Sequence, residues 1–326
     1  MKHLLGLLLG LLLFVGWTPP GLCATALDGQ PARLGVFVRD LESFDLRGNT
    51  FRASLWLWSI EQDSDVGFLK NLDFPNALEL KRSEVFAEET PQGLWLQQKI
   101  MGEFHHRWNL KRFPFDQQVL HIDFEETISE IPSIVMDYEG STIDSGLVIP
   151  GWRVDEFRLG TGRRHYNSRF GDPRSGKNVS NTHSRAYLEI VLRRDGYGVI
   201  WHLVLSSMAA ALLVMSSYVL HVDVNQCLSP RFGLLAGSVF AVILNMRSGR
   251  AEYGWHGYSV LPDQISMAVL VYASIGLVAS AFTYVHHLRF KDHAALVRID
   301  HRVCVLSTSA LLGSVAVFVF SARFGA

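Results

Sequence analysis

The chain has 326 residues, which permits about two domains, with 48% apolar residues and a formal net charge of −1. A near-neutral chain without a basic patch argues against nucleic acid as a partner. Of the three cysteines, Cys23 falls in an amino-terminal leader, and Cys227 and Cys304 lie in or beside hydrophobic segments, where they read as buried free thiols.

Met1–Ala26 has a basic start at Lys2, an apolar run from Leu4 to Val15 and small residues at Ala24 and Ala26. This pattern predicts a secretory signal peptide over 1–26, cleaved after Ala24 or Ala26. The run is about a dozen residues, short of the ~20 needed for a membrane helix.

From residue 27 to 194 short runs of alternating apolar and polar residues are broken by Gly, Pro, Asn and Asp. That pattern predicts an exported β-sandwich. Leu34, Val36 and Val38 share one strand face; on the next strand Trp56, Trp58 and Ile60 oppose Phe51, Ala53, Leu55 and Leu57. Leu94–His106, Trp152–Leu159 and Arg185–Arg194 read as later strands. Asp45-Leu46-Arg47-Gly48-Asn49 reads as a hairpin turn. Trp152, Trp56 and Trp58 fit either the sandwich core or a ligand box. Tyr166 and Phe170, in a basic tip from Gly160 to His183, fit either loop aromatics or a cation–π box. Glu61, Asp63 and Asp65 lack the spacing of a full calcium loop, and neither a metal nor a cofactor is expected. His105 and His106 are the histidines placed for proton sensing.

Lys111-Arg112-Phe113-Pro114-Phe115-Asp116 breaks the strand pattern. Pro114 lacks an N–H donor, so this piece sits on a loop or edge, and two phenylalanines on a loop tip need a surface to dock on.

Residues 195–326 hold four apolar segments, expected as spans 197–222, 228–247, 264–286 and 302–323. The second has a core of only about fifteen residues between Arg231 and Arg247, which suits a helix shielded from lipid. At a 3.6-residue period Gly233, Gly237, Phe240, Leu244 and Arg247 form one stripe; close helix packing through the glycines is the plainer reading. With the amino-terminal domain outside, the 286–302 connection, carrying Arg289, Lys291, Arg298 and Arg302, is expected on the cytoplasmic side.

Phe113-Pro114-Phe115-Asp116 resembles the signature loop of the pentameric ligand-gated ion channel superfamily, and the likeness extends over most of the chain after residue 32. His106 and Leu120 stand where animal members close this loop with cysteines, so the chain is similar to the prokaryotic branch. The resemblance implies an immunoglobulin-like β-sandwich followed by a four-helix transmembrane bundle, a homopentamer in the inner cell membrane, a small-molecule or proton agonist, and inorganic ions as permeant species. It implies a pore lined by Gly233, Gly237, Phe240, Leu244 and Arg247, in which rings of Arg231, Arg247 and Arg250 would raise local anion concentration, giving anion or poor selectivity. It also implies coupling through Phe113, Pro114, Phe115, Asp116, Asp45, Arg193, Arg194 and Pro262, with Tyr166, Phe170 and Trp152 near the agonist. The chain departs from the family by a shorter stretch between Trp58 and Leu94 and by Leu228-Ser229-Pro230 in place of an acidic ring. A non-conducting receptor of the same fold is the alternative. An intramembrane serine protease built on Ser238 and His202 lacks the full glycine pattern.

Overall fold

The computed structural model describes residues 31–61, 67–126, 134–168, 181–195, 197–220, 227–254, 257–290 and 293–325. The expected signal peptide, Asp63, Asp65 and Phe170 lie outside the described residues.

Eleven strands come first, in two sheets. Strands β1 (Ala32–Asp45), β2 (Thr50–Glu61), β4 (Ala77–Arg82), β5 (Phe86–Thr90), β6 (Gly93–His105), β8 (Ile134–Met136) and β9 (Thr142–Ile143) form one sheet, whose main path runs β4-β6-β2-β1-β8. Strands β3 (Leu72–Asp73), β7 (Gln117–Glu126), β10 (Trp152–Tyr166) and β11 (Asn181–Arg194) form the other, in the order β10-β11-β7-β3. Side chains alternate along each strand, so one face of each sheet is apolar. Leu34, Val36 and Val38 of β1, Leu55 and Leu57 of β2, Ile122 and Phe124 of β7, and Leu188 and Ile190 of β11 are all buried in one cluster between the sheets. Trp56 and Trp58 stand on the opposite face of β2, half-buried, rather than in that core. Period-2 alternation forces this, because Phe51, Ala53, Leu55 and Leu57 already occupy the inner face.

Trp58 instead covers Gly35, its partner in the β1–β2 register. Its Nε1 donates to Asp137 Oδ2 at 3.2 Å. A Cβ on Gly35 would lie 2.0 Å from Trp58 Cε2, so glycine is what lets the indole lie flat on the sheet.

The region between Trp58 and Leu94 holds a one-turn helix, α1 (Phe68–Asn71), as well as β3, β4 and β5. Glu61 fixes the start of α1 by accepting from the backbone N–H groups of Gly67 and Phe68 at 3.1 and 2.9 Å. Strands β10 and β11 pair from Trp152↔Arg194 to Tyr166↔Asn181, so strand structure runs well into the stretch expected as a loop tip.

Helices α2 (Tyr197–Ser217), α3 (Leu228–Tyr253), α4 (Leu261–Phe290) and α5 (His293–Phe324) follow. Three of them, α3, α4 and α5, are long and apolar enough to cross a membrane, while the apolar stretch Val204–Ser217 of α2 is shorter. At 1.5 Å per residue α4 and α5 are roughly 45 Å long, against a hydrocarbon core of about 30 Å. The connection over 286–302 is mostly helix, since α4 runs to Phe290 and α5 starts at His293. The turns flanking this junction carry Arg289, Arg298 and Arg302. Polar side chains tie the helices together: Asn245 Nδ2 donates to Ser207 Oγ at 3.0 Å and Ser266 Oγ at 3.3 Å, and the Tyr272 and Thr308 hydroxyls meet at 2.9 Å.

Gly35→Ala is expected to eject the Trp58 indole and cost about 1–3 kcal/mol in chemical unfolding, with a shift in tryptophan fluorescence. An unchanged spectrum and midpoint would show that the glycine is not what seats Trp58.

Candidate functional site

The loop between β6 and β7 runs from His106 to Asp116 and sits between the sheets and the helices. It is closed on itself before it touches anything else. Phe113 N–H donates to Leu110 O at 3.0 Å and Phe115 N–H to Arg112 O at 2.7 Å. Gln118 binds the Asn109 backbone on both sides, accepting from its N–H at 3.1 Å and donating to its carbonyl at 2.9 Å. The Phe113–Pro114 peptide is cis.

At the end of the loop Asp116 meets Arg194, the last residue of β11. Arg194 Nε donates to Oδ1 at 2.7 Å and Nη2 to Oδ2 at 3.1 Å, a bidentate pair with 7% and 1% side-chain exposure. Gln118 Nε2 adds a third donor to Oδ2 at 2.6 Å. The guanidinium lies 4.0 Å from the Trp152 ring centroid and 4.8 Å from that of Phe113. Two aromatic faces thus replace the water that a charged fork would otherwise keep. Such a pair stabilises little when whole, but losing one partner strands a buried charge at a cost of about 3–5 kcal/mol.

The outer surface of the loop docks on three helices. Phe113, buried to 2% exposure, lies against Tyr253 at the end of α3, ring centroids 5.8 Å apart. Leu110 N–H donates to Tyr258 Oη at 2.8 Å in the α3–α4 linker. Tyr253 Oη donates to Asp263 Oδ1 at 2.6 Å, joining the end of α3 to the start of α4. Phe115 packs against Leu261, Ile265 and Ala322, beside buried Pro262 in the first turn of α4. Arg112 donates to the carbonyls of Ala322 and Arg323, the unpaired acceptors at the carboxyl end of α5. A second contact comes from the β1–β2 turn. Gly254 ends α3 at φ +77, and a Cβ there would lie 3.3 Å from Arg47 Cα.

Two expected members of this cluster stand elsewhere. The Asp45 carboxylate accepts from the N–H groups of Arg47 and Gly48 at 2.9 and 2.7 Å, so it closes its own turn. Only its backbone joins the site, its carbonyl accepting from Trp108 Nε1 at 2.9 Å. Arg193 points to the other side of β11, where Nη2 pairs with Asp155 at 2.6 Å, because neighbours on a strand face opposite ways.

Trp152 and Tyr166 occupy opposite ends of the β10–β11 hairpin, ~45 Å apart along an extended strand. Trp152 belongs to the Arg194 cluster and is not beside Tyr166. Tyr166 Oη donates to Glu125 Oε2 at 2.8 Å, and its face already holds Arg164, 5.7 Å from the ring centroid. Burial and the bond to Glu125 push the phenol upward.

On α3 the stripe Gly233, Gly237, Phe240, Leu244 and Arg247 is exposed. At 3.6 residues per turn its members fall within about 40° of one direction. Arg231, Leu235, Ser238, Val242, Gly249 and Tyr253 are buried on the opposite side, against the neighbouring helices. Arg231 is therefore not a companion of Arg247: it is 0% exposed and paired with Asp300 at 2.6 Å. Ser238 Oγ donates to Leu235 O at 2.7 Å within its own helix, which gives no nucleophile arrangement; the side chain of His202 lies outside the described residues.

Sequence reasoning missed Gln118, Trp108, Arg112 and Tyr253. Their signals were faint: two polar side chains flanking an aromatic loop, and two aromatics at element ends. No family model and no curated protein matches this chain.

His106 sits behind the loop with its ring 4.6 Å from Trp108 and 6.1 Å from Phe51. Its Nε2 has no hydrogen-bond partner among the described residues. Burial, opposed by Gln118 and aided by His105 and His121, lowers its pKa from 6.5 to about 4. Between those values the unfolded chain binds a proton that the folded one does not, so stability rises with pH across the window and is lost as pH falls through it. The slope is at most ~1.4 kcal/mol per pH unit. His106→Gln is expected to flatten the fall in thermal midpoint between pH 6.5 and about 4; an equal slope in the variant would remove His106 as its source.

Proposed function

We propose that the chain is a subunit of a prokaryotic-type pentameric ligand-gated ion channel, with an exported immunoglobulin-like sandwich and four membrane spans, α2 to α5. The observation that carries this reading is the two-faced α3. Its exposed stripe of Gly233, Gly237, Phe240, Leu244 and Arg247 has no cover among the described residues, while the end of the same helix is gripped by the Phe113–Asp116 loop.

A helix with an uncovered face that mixes glycine, bulky apolar side chains and one charge suits a ring of copies around water better than lipid. Phe240 and Leu244 would narrow that ring and gate it by dewetting, Gly233 and Gly237 would leave the inner half wide, and Arg247 would favour anions. A small molecule or proton bound in the exported sandwich would shift the loop, and the loop would carry the shift to Tyr253 and Tyr258.

The second reading, a receptor of the same fold that does not conduct, draws on Phe240, 64% exposed on the stripe and large enough to close a ring, together with the missing acidic ring at Leu228-Ser229-Pro230 and the shorter stretch between Trp58 and Leu94. Planar-bilayer current across a salt gradient, scanned over pH and small amines, separates the two. The channel reading expects an evoked current that follows the chloride gradient, and a raised resting conductance in Phe240→Ala. Silence from a verified pentamer, in both the wild type and Phe240→Ala, would overturn it.

Asp116→Ala is expected to abolish the evoked current while leaving the pentamer assembled, because it strands Arg194 without touching the core between the sheets. A normal activation curve in that variant would remove the pair from coupling.

A further inference from the structure

Arg231 is the largest side chain buried to completion. It stands one turn from the start of α3, and each of the three neighbouring segments supplies it an acceptor. Nη1 and Nη2 donate to Asp300 Oδ2 and Oδ1 of α5 at 2.6 and 3.0 Å. Nε donates to Ser280 Oγ of α4 at 2.8 Å, and Nη1 also reaches the carbonyl of Leu220, just past α2, at 3.2 Å. Tyr218 covers the guanidinium at 5.4 Å from its ring centroid. A planar fork held at several points fixes both the rotation and the axial position of the helix that bears it. Within a membrane an ion pair of this kind is costly to leave half made.

The other end of α3 is held differently. Past Tyr253 it rests on the β6–β7 loop, through Phe113 and the bond from Leu110 to Tyr258. One end is bolted to the bundle and the other to the β-domain.

We propose that Arg231 is a positioning residue and the pivot of α3: clamped by Asp300, Ser280 and Leu220, it holds the Leu228 end still, so that movement of the β-domain loop tilts the helix about that point. Its charge is thereby kept off the exposed stripe. The consequence for conduction rests on the pore reading; the pivot does not.

Two pairs of spin labels test this in a chain whose cysteines are replaced by Ser, diluted with unlabelled chains. The inner pair stands on Gly233 and Val297, the outer pair on Ser248 and Ser321. Asp300→Asn is expected to lose the narrow distance distribution of the inner pair and keep the outer one; Asp116→Ala is expected to do the reverse. A narrow inner distribution in Asp300→Asn, or both pairs broadening together in either variant, would overturn the pivot. Should Asp300→Asn not fold, Arg231→Met with Asp300→Leu removes both charges and is expected to fold with a broadened inner pair. A narrow inner pair there, or failure of this double variant to fold, would also overturn it. Because no current is read, a silent protein with the expected label pattern would sink the pore reading and leave the pivot standing.

Discussion

The junction between the two halves of the molecule depends on one buried charge pair. Arg194 and Asp116 come from strands β11 and the start of β7, and each is nearly free of water. Leaving either there alone would cost about 3–5 kcal/mol. The surrounding groups follow from that constraint: Gln118 satisfies the second carboxylate oxygen, and Trp152 and Phe113 close the two faces of the guanidinium. Since Phe113 is also the side chain that reaches Tyr253, the residue that shields the pair is the residue that grips α3. Electrostatic closure and mechanical contact are therefore the same contact.

That geometry gives α3 an uneven environment. Its buried side meets neighbours along its whole length, from Arg231 through Leu235, Ser238 and Val242 to Tyr253. Its exposed side is left uncovered by the described residues. Apolar side chains such as Phe240 and Leu244 on an uncovered face call for lipid or for further copies, and the glycines at 233 and 237 cover little apolar area whichever is present. The face is informative because of its mixed character, which neither a lipid-facing helix nor a packed one requires.

Much of this was legible in the sequence. Period-2 alternation placed Leu34, Val36 and Val38 in the core, and the proline-bearing loop was correctly expected to need a docking surface. The stripe on α3 follows from the 3.6 period, and the same period sets Arg231 about 160° from the stripe's centre, against its expected place in a ring beside that of Arg247. Charge alone had grouped it with Arg247. Asp45 was similarly readable, since an acid three residues before a glycine in a turn tends to bind its own backbone. Trp152 was not. Its role depends on pairing with Arg194, far along the chain, and strand register is fixed by contacts that no local pattern records. The helices α4 and α5 run past the expected spans because hydropathy marks an apolar stretch, whereas backbone hydrogen bonding carries a helix beyond it.

Arg194 and Arg231, both held away from water by their neighbours, illustrate how differently one residue type can be used. Arg194 lies where two domains meet, and its partners belong to the β-domain, while its aromatic covers extend the contact towards α3. Arg231 lies within a single bundle, and its partners come from the segments around it. A guanidinium between domains transmits displacement, because the groups that satisfy it sit on the body that moves. A guanidinium satisfied within one body resists displacement for the same reason. With Arg231 clamped near the start of α3 and the Arg194 cluster reaching the other end only through Phe113, the proposed pivot has one end tied to the bundle and one tied to the β-domain.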